Sequence, residues 1–389
     1  MDHALSPALA KFERWIFNDA LPLWSTEGYE GELGFSETLS LEGRRRPVGF
    51  KRARVHARQI YVFCHAYELG YEPGLEIARA GVAFLLKNGW APKTGGWVVS
   101  MGETGGVVNE ELDLYEQAFV IFALSWWFKV SGDASVLEWI EKTLLVVDEQ
   151  FAAEDAPGYR SRVPDKGGRL QNPHMHLLEA LLTYYEVHPS TGTERRLLDL
   201  LSVFETCLFD PQTNTLAETF TDSWQRASFA DGQKIEPGHH FEWCWLLLNA
   251  DRILGTNYRR QARALFDFAE AHGVRDDTHL IYDGLDDQGH VIDDAHRSWP
   301  QTERLKALIA MHEFFDEDTL ERVTIVVDTL MLRYLSPAPR GAWIDHLTAD
   351  GSPCVEKVPA STFYHIFLSF AELKRYSTKL ATQPQKVLS

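Results

Sequence analysis

Two stretches of the chain carry a histidine followed three residues later by a glutamate. NPHMHLLEALL (172–182) contains His176-x-x-Glu179, and PGHHFEWCWLLL (237–248) contains His239-x-x-Glu242. On a helix, residues i and i+3 share a face. Each pair therefore reads either as an imidazole oriented by its own carboxylate or as a glutamate capping a first turn. A third histidine, His365 in STFYHIF, taken alone reads as a core residue among aromatics. Imidazole titrates near ~6.5 and suits proton transfer at neutral pH. Several imidazoles around one pocket suit a reaction that takes a proton from carbon and returns it elsewhere. Such a reaction needs a cationic group beside the enolate-like oxygen.

Arg58 is the candidate cation. In KRARVHARQIY (51–61) it sits deep in an apolar run, where an unpaired charge is costly, while Lys51 and Arg52 read as a solvated basic face. Arg54 stands one helical turn before Arg58. Histidines and glutamates on facing helices also build metal sites. Zinc would want three or four ligands converging at ~2.0–2.2 Å, the two pairs lie on different helices, and HExxH is absent. The expectation is no metal and no cofactor.

These residues have to be held by helices, and the sequence contains two alternating kinds. One kind is amphipathic and charged, at 7–17, 74–88, 134–151, 193–209, 258–273 and 317–335. The other is apolar nearly all round, at 57–67, 115–128, 176–187, 241–254, 300–315 and 362–376. Helices apolar on most faces are buried, and amphipathic ones shield them. Aligned on Gln59, Gln117, Glu179, Glu242, Glu303 and His365, the apolar helices recur at steps of 58, 62, 63, 61 and 62 residues. Six helical hairpins without distinct polar caps at the ends predict a closed double ring rather than an open solenoid. The fold class is all-α, a single-domain (α/α)6 barrel over 1–389, with a core at about 7–376 and a flexible tail at 377–389.

The loops leading into the apolar helices are long, rich in glycine and aromatics, and all fall on one face of the ring. Small hairpins are expected there at 282–292 and 342–354. Function belongs on such loops, so the site should be a cup at the N-terminal ends of the inner helices, with His176, His239 and His365 facing it. His240, pointing elsewhere by helical geometry, should be structural. Of 12 tryptophans, Trp97, Trp224, Trp243, Trp299 and Trp343 fall in these loops or at inner-helix starts. Aromatic faces with interspersed polar groups suit sugar rings. Asn109, Glu110, Glu111 and Asp113 read as hydroxyl contacts or as helix caps.

Composition bounds the rest. A formal net charge of −18 argues against a nucleic-acid partner. Cys64, Cys207, Cys244 and Cys354 are far apart and read as reduced thiols. There is no signal-peptide pattern and no apolar run of ~18 residues, so a cytoplasmic protein without membrane contact, monomer or homodimer, is expected.

NPHMHLLEALL, PGHHFEWCWLLL, RSWPQTERL (297–305), DLYEQAF (113–119) and STFYHIF, in that set, resemble the N-acylglucosamine 2-epimerase family over about residues 54–365. The resemblance implies an (α/α)6 barrel and metal-free proton transfer through a cis-enediol of an opened monosaccharide. Carried over motif by motif, His239 and His365 become the acid/base pair, and Glu242 orients or tunes His239. His176 helps ring opening or holds substrate, Arg58 binds the enediolate oxygens, and Trp299 lines the pocket. Asn172, Glu179, Glu303, Tyr115 and Trp343 complete the expected substrate-binding set.

Within the family, GHHFEW with RSWPQTE is most similar to the mannose isomerases, which implies interconversion of D-mannose and D-fructose, and with it D-lyxose and D-xylulose. A 2-epimerase acting on mannose or glucose, cellobiose or N-acylglucosamine is the alternative. Arg297 and Arg169 leave room for a phosphate or sulfonate. An inverting glycosidase using Glu110, Glu111 or Asp113, and a non-catalytic protein-binding barrel, are the readings from other classes.

Overall fold

The computed structural model describes residues 5–153, 156–227 and 230–382. Among the described residues, twelve helices of ten or more residues alternate between an outer and an inner ring. The outer helices are α1 (Ser6–Trp15), α3 (Gly74–Asn88), α5 (Ser135–Val146), α7 (Thr191–Val203), α9 (Arg259–Gly273) and α11 (Leu320–Thr329). The inner helices are α2 (Ala53–Glu68), α4 (Leu114–Ser131), α6 (Gln171–Val187), α8 (Pro237–Leu254), α10 (Trp299–Phe315) and α12 (Phe363–Thr382). Each inner helix packs on the next, and α12 returns to α2, so the ring closes as the period predicts.

Local sequence explains these elements. In α9 the buried residues Ala262, Leu265, Phe266 and Ala269 follow the 3.6-residue period and leave a charged outer face. In α4 nearly every face is buried, from Leu114 to Trp127. Asp113 caps α4 by accepting from the Tyr115 N–H, and Gly132 ends it at φ 69°. Pro237 occupies the first turn of α8, where its missing N–H costs nothing. Four outer helices, α1, α5, α7 and α11, close on a wider π-type turn.

Short strands deliver the chain to the inner helices. Phe50–Arg52, Val107–Asp113 and Arg169–Leu170 run directly into α2, α4 and α6. They pair across repeats: Phe50–Arg52, Val98–Gly102, Val107–Asp113 and Arg162–Val163 form one four-stranded sheet. Arg169–Leu170 pairs with Thr219–Phe220. The hairpin expected at 282–292 is present as Gly284–Leu285 against Val291–Asp293. In 342–354 the pairing is split. Leu347 bridges Pro353, while His346–Leu347 pairs with His296–Arg297 of the preceding loop.

Two readings change. Lys51 is not on a solvated face: it is 2% exposed, with Nζ 2.5 Å from the Leu33 carbonyl and 3.2 Å from Glu30. Folding the strand Phe50–Arg52 onto Val98–Gly102 covers it, and the carboxylate keeps the covered charge paired. Helix α12 continues beyond 376 to Thr382, and residues 383–389 of the expected tail lie outside the described residues.

The barrel axis is open at both ends. A cavity of about 480 Å³ lies at the N-terminal ends of the inner helices. A larger one, about 590 Å³, lies at their C-terminal ends, between Trp126 and Trp245. The cations of the larger cavity all face carboxylates: Lys129 with Glu68, Arg252 with Glu186, Arg375 with Glu372, and Lys374 with Glu13. The three histidines singled out by spacing line parts of the smaller one.

Candidate active site

Residues from all six inner helices or the strands that feed them surround the smaller cavity. Arg58, Tyr115, Asn172, His176, His239, Glu242, Trp299 and His365 line it, as expected from the sequence. Glu179 and Glu303 do not: they lie beneath it, hydrogen-bonded to the histidines above. Trp343 is fully buried elsewhere, stacked 4.9 Å from Trp24 and packed against Phe363. Its loop enters the core at that point, so its indole belongs to packing. Trp97 and Trp243 are core residues as well, donating to Thr143 and Gln171.

Trp299 packs against two of the histidines. Its ring lies 4.9 Å from that of His239 and 5.5 Å from that of His365. This placement depends on Gly238, where a Cβ would come within 2.6 Å of the Trp299 ring. The Pro-Gly preceding His239 thus both starts α8 and makes room for the aromatic wall.

The two histidine–glutamate motifs are not equivalent. His239 is the third residue of α8, whereas His176 is the sixth of α6. The motifs are therefore offset by nearly one turn, and Glu242 sits at the level of His176, 3.9 Å from its Nδ1. Glu242 does not orient His239. Glu218, from the loop before α8, does: its carboxylate pairs with His239 Nδ1 at 2.9 Å, and Glu236 stands at 3.6 Å. Glu218 is itself held by Gln171 and by the backbone N–H of Glu236. His176 is oriented by its own Glu179 at 2.9 Å, as the spacing predicts, and Tyr364 donates to the same carboxylate.

The surroundings drive the histidines to different protonation states. Desolvation alone would depress His239, but the carboxylates of Glu218, Glu236 and Glu242 outweigh it and raise the imidazole to about 9. Burial, with Arg58 and Lys306 nearby, holds His365 well below its ordinary value. Burial likewise lowers His176, to about 4, against the pull of Glu179. At neutral pH the cavity therefore offers an imidazolium at His239 and a neutral imidazole at His365. Groups whose environments drive their pKa values apart mark acid and base assignments. His365 Nδ1 lies 2.8 Å from Glu303, which leaves Nε2 for chemistry.

Arg58 has no carboxylate partner among the described ion pairs. It donates to the Tyr115 hydroxyl at 2.6 Å and to the Ser361 carbonyl at 3.3 Å, over the Phe119 ring. The other cations of the cavity are committed: Arg297 to Glu236 and Asp283, and Lys234 to Glu236 and Asp293. Arg169 lies outside the lining, donating to the carbonyls of Asp222 and Tyr159. Arg54 is bound to Glu116. His240 bonds to the backbone of Leu216 and packs on Phe268, away from the cavity. Glu110, Glu111 and Asp113, the carboxylates a glycosidase reading would use, also lie outside the lining.

Two donor sets come together within 4.8 Å, His176 with Glu179 and Glu242, and Glu242 with Glu303 and His365. Their charge is met from within, because the ammonium of Lys306 stands 2.5 Å from Glu303. Burial and the neighbouring carboxylates Glu303 and Glu179 push Glu242 well above the ordinary range. Lys306, Glu218, Glu236 and Asp345 were not singled out from sequence. For Lys306 the signal was available: a lysine one turn beyond Glu303 in an otherwise apolar helix is costly unless paired.

Residues 34–369 match the sequence profile of the N-acylglucosamine 2-epimerase family. The chain belongs to that family. Among its relatives, a Rhizobium meliloti protein named mannose-6-phosphate isomerase is 32% identical over 372 residues, covering 92% of this chain and 95% of that one. A Bacteroides fragilis cellobiose 2-epimerase is 24% identical over 354 residues, covering 85% and 89%. A crystal structure of D-mannose isomerase shares the fold, with a TM-score of 0.84 and 20% identity, over 96% of this chain and 99% of that one. Family membership makes the protein a sugar isomerase or epimerase, and the single-domain helical barrel is the architecture of those relatives. None of its helices, among the described residues, is long and apolar enough to cross a membrane.

Proposed function

We propose that the protein is a metal-independent aldose–ketose isomerase interconverting D-mannose and D-fructose through a cis-enediol. The observation that carries this reading is that His239 and His365 both pack on Trp299, with surroundings that drive their pKa values in opposite directions, while Arg58 has no carboxylate partner among the described residues. His365 Nε2 takes the proton from C2 of the open-chain aldose, and the imidazolium of His239 gives its proton to O1. Arg58 stabilises the oxygen charge that develops between these events. The resulting enediol collapses when His239 takes the O2 proton and His365 returns its own to C1. The ketose forms and both histidines recover their starting states. His176, neutral and fixed by Glu179, faces the same space and serves ring opening or substrate holding.

A neutral sugar suits the cavity better than a phosphorylated one. Arg297 and Lys234 are bound to carboxylates, which leaves Arg58, among the described residues lining the cavity, as the arginine or lysine free for substrate oxygens. That cation is needed at O1. The relative named mannose-6-phosphate isomerase makes the phosphate ester the comparison to run. The same histidine pair also supports 2-epimerisation, in which His239 would return a proton to the opposite face of C2.

Incubation with D-mannose or D-mannose 6-phosphate in D2O, with products read by NMR, separates these readings. The expected product is fructose, deuterated at C1 to the extent that the proton held on His365 exchanges with solvent before its return. Glucose deuterated at C2 would make the protein an epimerase, and turnover of the phosphate ester alone would reverse the substrate assignment. Loss of activity on chelation, restored by a divalent ion, would overturn the metal-independent mechanism.

A further inference from the structure

Lys306 is fully buried below the cavity floor, one turn beyond Glu303 on α10. Its ammonium lies 2.5 Å from Glu303 Oε2, and the other oxygen of Glu303 lies 2.8 Å from His365 Nδ1. On its far side the ammonium stands over the ring of Trp245, 4.2 Å from the centroid. The carboxylates of Glu179 and Glu242 share the same buried space and favour its charge. A lone ammonium in such a place is stable only through its carboxylates, and the carboxylates equally need it.

The identity of the proton on His365 depends on this arrangement. An ionised Glu303 can only accept, so His365 must donate from Nδ1 and present a bare Nε2 to the cavity. A neutral Glu303 could donate to Nδ1 instead. The imidazole would then carry its hydrogen on Nε2, toward the cavity, and could not take a proton from substrate.

We propose that Lys306 is a positioning residue for His365. Its ammonium keeps Glu303 an acceptor, and Glu303 in turn fixes His365 in the tautomer whose Nε2 is a free base. The kinetic consequence rests on the isomerase reading; the tautomer does not.

The test uses the full chain with His labelled in the ring nitrogens. NMR of the unliganded wild type is expected to show His365 as the Nδ1–H tautomer. Lys306→Met should shift it toward Nε2–H and lower kcat about a hundredfold, the scale of a lost general base, while KM changes little. If Lys306→Met does not fold, Glu303→Gln and the double variant Glu303→Gln/Lys306→Met decide. A lysine acting only through Glu303 has no further effect on tautomer once that carboxylate is gone, so the two should match. An unchanged tautomer in Lys306→Met, or a clear difference between Glu303→Gln and the double variant, overturns the proposal. A wild type that shows the expected tautomer but turns over neither sugar refutes the isomerase reading and leaves the Lys306 assignment standing on the tautomer alone.

Discussion

His239 takes its partner from outside its own helix: Nδ1 meets Glu218 at 2.9 Å, across the loop that leads into α8. The glutamate one turn on, Glu242, faces the barrel axis instead. The charge on His239 is therefore set by a loop, and the floor below it by helices.

Removing that loop carboxylate should change when the enzyme works more than whether it folds. Glu218→Gln takes away the foremost opposing charge holding His239 near 9. In a pH profile of kcat/KM the alkaline limb, expected near 9 in the wild type, should move toward the ordinary ~6.5 of imidazole. A limb that stays in place would show that His239 is not the acid.

Arg58→Lys should be far from conservative. The planar guanidinium bonds both the Tyr115 hydroxyl and the Ser361 carbonyl while facing the cavity, which an ammonium cannot reproduce. Loss of one oxyanion-stabilising group costs about 10²–10³ in kcat. Steady-state kinetics giving a wild-type kcat with only KM altered would reassign Arg58 to substrate holding.

The stabilising share of five buried histidines should fall as the solution is acidified. His56, His65 and His240 are driven to about 3, and His174 and His176 to about 4, foremost by burial. Unfolded histidines bind protons from ~6.5 downward, and these folded ones do not. Between those values the unfolded state holds more protons at these rings, so their contribution to stability declines as pH drops from about 6.5 toward 4, while the buried carboxyls of Glu116 and Glu242, raised by burial, contribute with the opposite sign. His239 has the opposite sign: its contribution is complete below about 6.5 and disappears as pH rises through about 9. NMR titration of the histidine rings from pH 7 to 4.5 checks the first window, and rings that protonate near ~6.5 would contradict their burial.

Much of this was legible in the sequence because periodicity reports burial. The alternation of apolar and amphipathic helices identified both rings, and the 3-residue spacing at His176 matched a real hydrogen bond. The same spacing misled at His239. The sequence does not disclose that α8 begins two residues before its histidine while α6 begins five before, and that offset decides which carboxylate meets which ring. Trp343 failed for a related reason: a tryptophan in a site-facing loop has the same composition signal whether it faces the cavity or the core. Glu218 sits in a long loop with no period to read, and only the folded chain brings it to His239, whereas Glu236 stands three residues before that histidine and its spacing was legible.

The outermost helix α1 packs on α12, Lys374 reaches Glu13, and the strand Thr38–Leu39 is zipped to Val358–Pro359 just before the last inner helix. The first and last described helices are thus sewn into one seam of the ring. A ring closed by such a seam has no privileged first repeat. Linking the two ends and reopening the chain at a short turn such as Gly132–Asp133 would yield the same cup from a rearranged gene.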